Sequence, residues 1–372
     1  MSRKKCVLVN CFASSNEMRI EPVREVFDQL GYETIYLASD FHHTKKKHID
    51  LTSEITTIHV SGYSKNISFS RIHSHYQFSK KVYRFLCNER PDVIYIKIPP
   101  NSLVKFLNRY KNQYNCKIII DVFDLWPESL PINNVICSLI SPLTSMWKRM
   151  RNDYIHCGDL IISECDMYKE LLYGVIPENS RTVYLTKKDI EYEFVSNDNY
   201  KLIKLCYLGG INNLIDIEQI GEIIEELSKK TKVEMDIIGD GINRDELILK
   251  AESKGCKVTY HGVIYDEAKK YSIMKHCDFG INIMKKTSKV ALTLKSIEYL
   301  RAGLALINNI PYDTQKIIDC ENCGINLDRI SELDVGSIPL LRINARRTYE
   351  KYFSYDNCKL NISKALETIS IK

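Results

Sequence analysis

Short β-rich runs alternate along the chain with longer segments whose apolar residues recur at helical spacing. CVLVNCF opens the series, a helical pattern follows through PVREVFDQLG, and ETIYLAS is the next strand. ITTIHV reads as a further strand, a long helical stretch covers residues 71–90, and DVIYIKI comes after it. A helix over residues 103–110, the strand KIIIDVF, an apolar segment over 135–154 and DLIISEC complete the first half. Strands that are apolar throughout, separated by helix-length segments, predict a mainly parallel sheet covered on both faces.

Residues 187–201, KKDIEYEFVSNDNYK, are polar and charged without apolar period, and mark a linker. The rhythm then restarts: LIKLCYL, a helix over 217–228, VEMDIIG, a helix over 244–254, KVTYHG, a helix over 267–275, DFGINIM, a helix over 294–302, and LALINN. A chain of 372 residues exceeds what one core usually holds. The fold class expected is therefore α/β, with two Rossmann-like domains over 1–190 and 201–340 and helices over 341–372 packing back across both. Two such domains place ligand sites at the carboxyl ends of strands, in a cleft that the domains face.

Composition narrows the class. Apolar residues make 44% and charged residues 27%, with only 15 Gly and 10 Pro, which excludes a disordered or collagenous chain. No apolar run approaches the roughly 20 residues of a membrane span. The start, MSRKKCVLVNCFASSNE, reads as a first strand and not a secretion signal, so a cytoplasmic location is expected. The 13 cysteines are odd in number, and Cys6, Cys116, Cys206 and Cys277 sit in apolar runs as reduced hydrophobes. Cys320 and Cys323 have CxxC spacing but no second pair and no nearby His, so they are not read as a metal site. Charge is uneven: residues 1–151 hold 22 basic and 13 acidic groups, a balance of +9, against −4 in the remainder. A basic half suits an anionic partner, whether membrane surface, nucleic acid or phosphorylated substrate.

Candidate chemistry concentrates in SKVALTLKSIEYLRAGLALINN, residues 288–309. Thr293 can cap a helix whose first turn holds Leu294, Lys295 and Ser296, and such a turn offers unpaired N–H groups and partial positive charge to a phosphate. Lys295 adds a cation, and Glu298, three residues on, shares its helix face. A cation beside a carboxylate suits a nucleoside diphosphate; an ordinary surface ion pair has the same spacing. LCYLGG, ending in Gly209 and Gly210, and IIGDG, ending in Gly239, Asp240 and Gly241, close strands in turns that bring backbone near a ligand.

The order Gly209, Gly239-Asp240-Gly241, Tyr260-His261-Gly262 and Lys295-x-x-Glu298-Tyr299-x-x-x-Gly303 resembles the donor domain of GT-B glycosyltransferases, specifically the retaining enzymes of family 4. DVFDLWPES, residues 121–129, is similar to the RDLWPES stretch of a subgroup that builds bacterial surface polysaccharides such as capsule or O-antigen. The resemblance implies a nucleotide-sugar donor, UDP- or GDP-linked, on the second domain. It places Glu298 on the ribose hydroxyls, Lys295 and the helix amides of Leu294 and Ser296 on the pyrophosphate, backbone at Val263 on the base, and Thr287 and Ser288 near the donor sugar. Asp124 and Trp126 would line the acceptor side, with Asp124 a candidate base. No metal or other cofactor is implied, because no compact D-x-D pair is present and Lys295 can neutralise the leaving diphosphate. The implied activity is transfer of a hexose-type sugar to a glycan or lipid-linked glycan. A catalytically silent partner subunit and a nucleotide-sugar epimerase are the alternatives.

The chain departs from relatives at several places. The cation they carry after the first donor-domain strand is absent from Gly209-Gly210-Ile211-Asn212-Asn213, leaving Lys285, Lys286 or Lys289 as substitutes. Val290 stands where relatives have the first Glu of a spaced pair, and Phe123-Asp124 where they have His–Asp. Elsewhere, His42, His43 and His48 lack metal-ligand order and read as loop residues, and His73 and His75 read as surface residues. Asp121 and Asp124 are a possible carboxylate pair. The segment over 134–154, with Trp147, Lys148, Arg149 and Arg151, fits either a helix on the first sheet or one lying on an anionic membrane at the inner face of the cell membrane. No nucleic-acid recognition motif accompanies the basic half.

Overall fold

The structure is a computed structural model that describes residues 3–12, 18–129, 141–195, 201–287 and 289–371. The chain divides into two compact units, residues 1–185 with 358–372, and residues 186–357.

The first unit is built on a seven-stranded sheet. Its strands are β1 (Lys5–Asn10), β2 (Glu33–Ser39), β5 (Ile55–Ile58), β6 (Val93–Ile98), β7 (Lys117–Val122), β8 (Leu160–Ser163) and β9 (Arg181–Thr182). All pair in parallel, in the order β5-β2-β1-β6-β7-β8-β9. A two-residue-per-strand hairpin, β3 (Phe41–His42) with β4 (Lys47–His48), projects after β2. VIYIKI in β6 is buried at every position, as a sheet covered on both faces requires. Helices α1 (Ile20–Gln29), α2 (Phe69–Glu89), α3 (Ser102–Lys111), α4 (Ser141–Asn152) and α5 (Asp166–Leu171) belong to this unit. Val23, Val26 and Phe27 of α1 join Leu8, Tyr95 and Ile119 of the sheet in one core.

The second unit carries a six-stranded sheet. Its strands are β10 (Leu202–Leu208), β11 (Lys232–Ile238), β12 (Lys257–Gly262), β13 (Phe279–Asn282), β14 (Ala305–Asn308) and β15 (Gly324–Asn326), in the parallel order β12-β11-β10-β13-β14-β15. Its helices are α6 (Ile217–Ser228), α7 (Arg244–Ser253), α8 (Glu267–Met274), α9 (Leu294–Arg301), α10 (Asp313–Glu321) and α11 (Ile338–Thr348). Ile220, Ile223, Ile224 and Leu227 form the apolar stripe of α6 and pack on Leu205, Tyr207 and Ile237. Strand order reverses between β10 and β13, and that is where doubly wound sheets open a crevice at their carboxyl ends.

The last helix, α12 (Tyr355–Glu367), returns to the first unit, where Cys358, Ile362, Ala365 and Leu366 enter its core. The described part of the polar stretch at 187–195 is tied to the second unit. Tyr349 donates to the Lys187 carbonyl at 2.8 Å, Arg301 to that of Lys188 at 2.9 Å, and the Glu193 N–H donates to the Tyr271 hydroxyl at 2.7 Å.

Several sequence expectations are corrected here. Asp121 and Asp124 take different partners: β7 ends at Val122 and Asp124 lies past it, bonded to Ser129. Asp121 is fully buried against Arg19, 3.2 Å away, and accepts from the Tyr95 hydroxyl. His75 is buried on the inner face of α2, not on the surface. Trp147 and Arg151 of α4 also face inward. Trp147 packs on Trp126 with centroids 5.7 Å apart, and Arg151 grips Glu128 through two bonds of 2.7 and 3.0 Å. Only Lys148 and Arg149 of that basic trio are exposed; residues 134–140 lie outside the described residues. Among the described residues no helix is long and apolar enough to cross a membrane.

Candidate functional site

Helix α9 begins as its sequence dictates. Thr293 is extended, at φ −114° and ψ 149°, and its hydroxyl accepts the Ser296 N–H at 3.1 Å. The same hydroxyl donates to Oδ1 of Asn282 at 2.7 Å. Asn282, at the end of β13, donates in turn to Asn308 at 2.8 Å, and Asn308 to Asn326 at 3.0 Å. A buried row of amides across three strands thereby fixes the start of the helix. The cap takes the Ser296 N–H, so that amide is not open to a pyrophosphate as the resemblance implied; Leu294 is half-exposed.

Lys295 is the anomaly of that turn. Its ammonium nitrogen is shielded from solvent and finds no hydrogen-bond partner among the described residues. It stands 5.1 Å from the centroid of the Tyr207 ring, and burial pulls its pKa down to about 8. The Tyr207 hydroxyl donates to the Gly210 carbonyl at 3.0 Å, so the cation, the tyrosine and the turn after β10 are one assembly. Tyr299 adds a second tie: its ring lies against Gly280, where a Cβ would be 2.1 Å away, and its hydroxyl accepts the Leu208 N–H at 2.7 Å.

The glycine turns divide into two kinds. Gly239 and Gly241 serve backbone packing. A Cβ on Gly239 would meet the Gly209 carbonyl oxygen at 2.0 Å, and its φ of +146° lies in the region that side chains avoid. Gly209 N–H donates to Ile238 at 2.9 Å and Gly239 N–H to Gly262 at 2.8 Å, which zips the ends of β10, β11 and β12 together. Gly209 and Gly210, by contrast, have no close neighbour on the side a Cβ would occupy. Asp240 accepts the Gly241 N–H at 2.8 Å and lies 3.6 Å from Arg244. Val263 is half-exposed beyond β12.

Glu298 sits in an ion cluster that the sequence did not disclose. One oxygen is 2.8 Å from the Lys187 ammonium and 3.7 Å from that of Lys270; the other is 2.5 Å from Arg301. Arg301 and Lys270 also engage Glu267, whose carboxyl is held down to about 2: burial opposes the shift, and the bonds from Lys270 and Arg301 outweigh it. A ligand hydroxyl at Glu298 competes with these cations. Lys187 and Lys270 lie far from residue 298 in sequence, and no local pattern announces them. Thr287, Lys285, Lys286 and Lys289 are exposed, and Ser288 lies outside the described residues.

Asp124 and Trp126 belong to the first unit, just past β7. The Ser129 hydroxyl donates to Asp124 at 2.5 Å, yet burial still lifts the carboxyl above its ordinary range. Arg71, read from sequence only as the start of a helix, is buried here. Its guanidinium lies 3.7 Å from the Trp126 centroid and 5.6 Å from that of Tyr63, and it donates to the Asn66 carbonyl at 2.9 Å.

No protein-family model matches the chain, and no curated protein matches it in sequence. Solved structures do match over nearly the whole length. Sucrose-phosphate synthase from Thermosynechococcus elongatus superposes with a TM-score of 0.69 at 11% identity, covering 99% of each chain. The lipopolysaccharide outer core galactosyltransferase WaaB gives 0.66 at 13%, over 98% of this chain and 99% of that one. Anabaena HepE, solved in complex with UDP, gives 0.65 at 13%, over 98% and 100%. Two parallel doubly wound sheets, superposing over nearly the whole chain on these structures, give the chain the GT-B fold.

Proposed function

We propose that the chain is a glycosyltransferase that moves a hexose-type sugar from a nucleoside diphosphate donor to a hydroxyl of a glycan or lipid-linked glycan, with retention of anomeric configuration. The observation that carries this reading is the buried ammonium of Lys295, without a hydrogen-bond partner among the described residues, in the first turn of a capped helix. A helix start supplies N–H donors and partial positive charge, and a desolvated cation there gains most from a doubly charged ligand. HepE, whose structures include complexes with UDP and with UDP-glucose, supports a uridine donor.

In this reading Lys295 and the amides of α9 neutralise the diphosphate as the bond from the anomeric carbon to the phosphate oxygen breaks. The acceptor oxygen bonds to the anomeric carbon, and its proton passes to the departing phosphate. Val263 meets the base, Thr287 and Ser288 the donor sugar, and Glu298 the ribose once Lys187 yields its place. No metal takes part. The proposal keeps the enzyme in the cytoplasm, against an anionic inner membrane face through exposed bases of the first unit rather than through Trp147. It also keeps surface polysaccharide assembly as the setting.

A second reading has its own support. The absent cation at Gly209–Asn213 and the saturated carboxylate of Glu298 fit a GT-B-like subunit that binds a donor weakly and stabilises a true transferase. Purified protein incubated with a panel of nucleotide sugars, with and without membrane lipid extract, separates the two. Nucleotide release that depends on acceptor is expected for the transferase, and its abolition in Lys295→Ala ties it to this site. No release with any donor contradicts the first reading.

A further inference from the structure

The first unit holds a cluster of His and Asp side chains that neither donor nor acceptor assignments use. Asp40 follows β2, His48 ends β4 and His59 follows β5. Nδ1 of His48 and Nδ1 of His59 stand 2.9 and 2.5 Å from the same oxygen, Oδ2 of Asp40. The three ligand atoms all lie within 4.8 Å of one another, and the two imidazoles stack with centroids 5.1 Å apart.

Main-chain bonds fix this convergence, and all of them run through Asp40. Its N–H donates to the Ile58 carbonyl at 3.3 Å, next to His59, and its carbonyl accepts the Ile49 N–H at 2.9 Å, next to His48. Its Oδ1 accepts the Val60 N–H at 3.2 Å, which leaves Oδ2 turned toward the imidazoles. The sequence missed the set because it joins only one of the three histidines of the Lys-rich loop to residues on either side. His42 and His43 take other partners, the Lys45 N–H and the Tyr63 hydroxyl.

One carboxylate and two imidazole nitrogens on rigid backbone are the donor set of a zinc-like ion. Ligand atoms around a tetrahedral ion with bonds of about 2.0 Å lie about 3.3 Å apart, so each His–Asp distance must open by less than about 1 Å while the two imidazole nitrogens, within 4.8 Å of each other, adjust to the same spacing. His59, 74% exposed in its side chain, can make that adjustment by rotation. Of the neighbouring cations, Lys46 is turned to Asn66 and the Tyr63 ring, Lys81 donates to the His59 carbonyl at 2.8 Å, and Lys45 and Lys47 are exposed. We propose that Asp40, His48 and His59 bind one divalent first-row transition ion, with its fourth position open to water, clipping the β3–β4 hairpin to the edge of the sheet. The site takes no part in sugar transfer and stands whether or not that reading holds.

The test is calorimetric titration of Zn(II) into metal-free, full-length protein, with Co(II) absorption as a second readout. The wild type is expected to take up one equivalent per chain with a rise in melting temperature. His59→Ala and His48→Ala are each expected to lose at least tenfold in affinity, while His42→Ala, in the same hairpin, binds as the wild type does. Absence of stoichiometric binding, or zinc retained in both variants through the exposed Cys320 or any other group, overturns the proposal.

Discussion

At the scale of single residues, Lys295 is where charge, burial and function meet. Its folded pKa of about 8 lies below that of a solvated lysine, so between about pH 8 and 10.4 the unfolded chain holds the proton that the folded one has released. Unfolding free energy therefore rises with pH across that window. Lys295→Met is predicted to be more stable than the wild type at pH 7 and to lose that advantage as pH climbs toward 10, as paired melting curves will show. Glu298 behaves oppositely. Glu298→Ala leaves Lys187, Lys270 and Arg301 facing one another, with an expected loss of about 3 kcal/mol in chemical denaturation. Lys295 was legible in the sequence because helix spacing and a Thr cap place it in a first turn. The partners of Glu298 were not, because tertiary folding brings Lys187 and Lys270 to it. Asp121 misled for a related reason: its spacing to Asp124 does not disclose that Arg19 and Tyr95, distant in sequence, bury it.

At the scale of elements, the start of α9 is held by its cap and by the amide row behind it. Thr293→Ala removes both the bond to Ser296 and the bond to Asn282, and is expected to cost about 1–2 kcal/mol. The glycine turns give a sharper contrast. Gly239→Ala drives a Cβ into the Gly209 carbonyl at an unfavourable φ, and a loss above about 4 kcal/mol or a failure to fold is expected. Gly210→Ala meets, among the described residues, only Asn212 at 3.8 Å, and its cost should stay within about 0.5 kcal/mol, the general scale of surface substitutions. The sequence marked all of these turns as ligand-facing. It could not separate packing glycines from open ones, because that distinction depends on which neighbouring strand end lies against each.

At the scale of the whole molecule, the chain leaves its first unit at residue 185 and comes back to it at 358. Two β/α units were legible from the repeated alternation of apolar strands and amphipathic helices. Helices over 341–372 were expected to pack back across both; the division falls instead at 357, and that the last helix completes the first core alone was not legible, since Cys358, Ile362, Ala365 and Leu366 carry an apolar stripe that names no partner. Truncation after Asn357 is predicted to unfold the first unit while leaving the second with its own melting transition in calorimetry. The central claim concerns the second unit alone, and calorimetric titration with UDP, GDP and ADP tests it most directly. One of these is expected to bind wild type with proton uptake at pH 8, to weaken as pH rises above that value, and to bind Lys295→Met at least tenfold less well. A wild type that binds none of them, or a variant that binds as tightly as the wild type, contradicts the account.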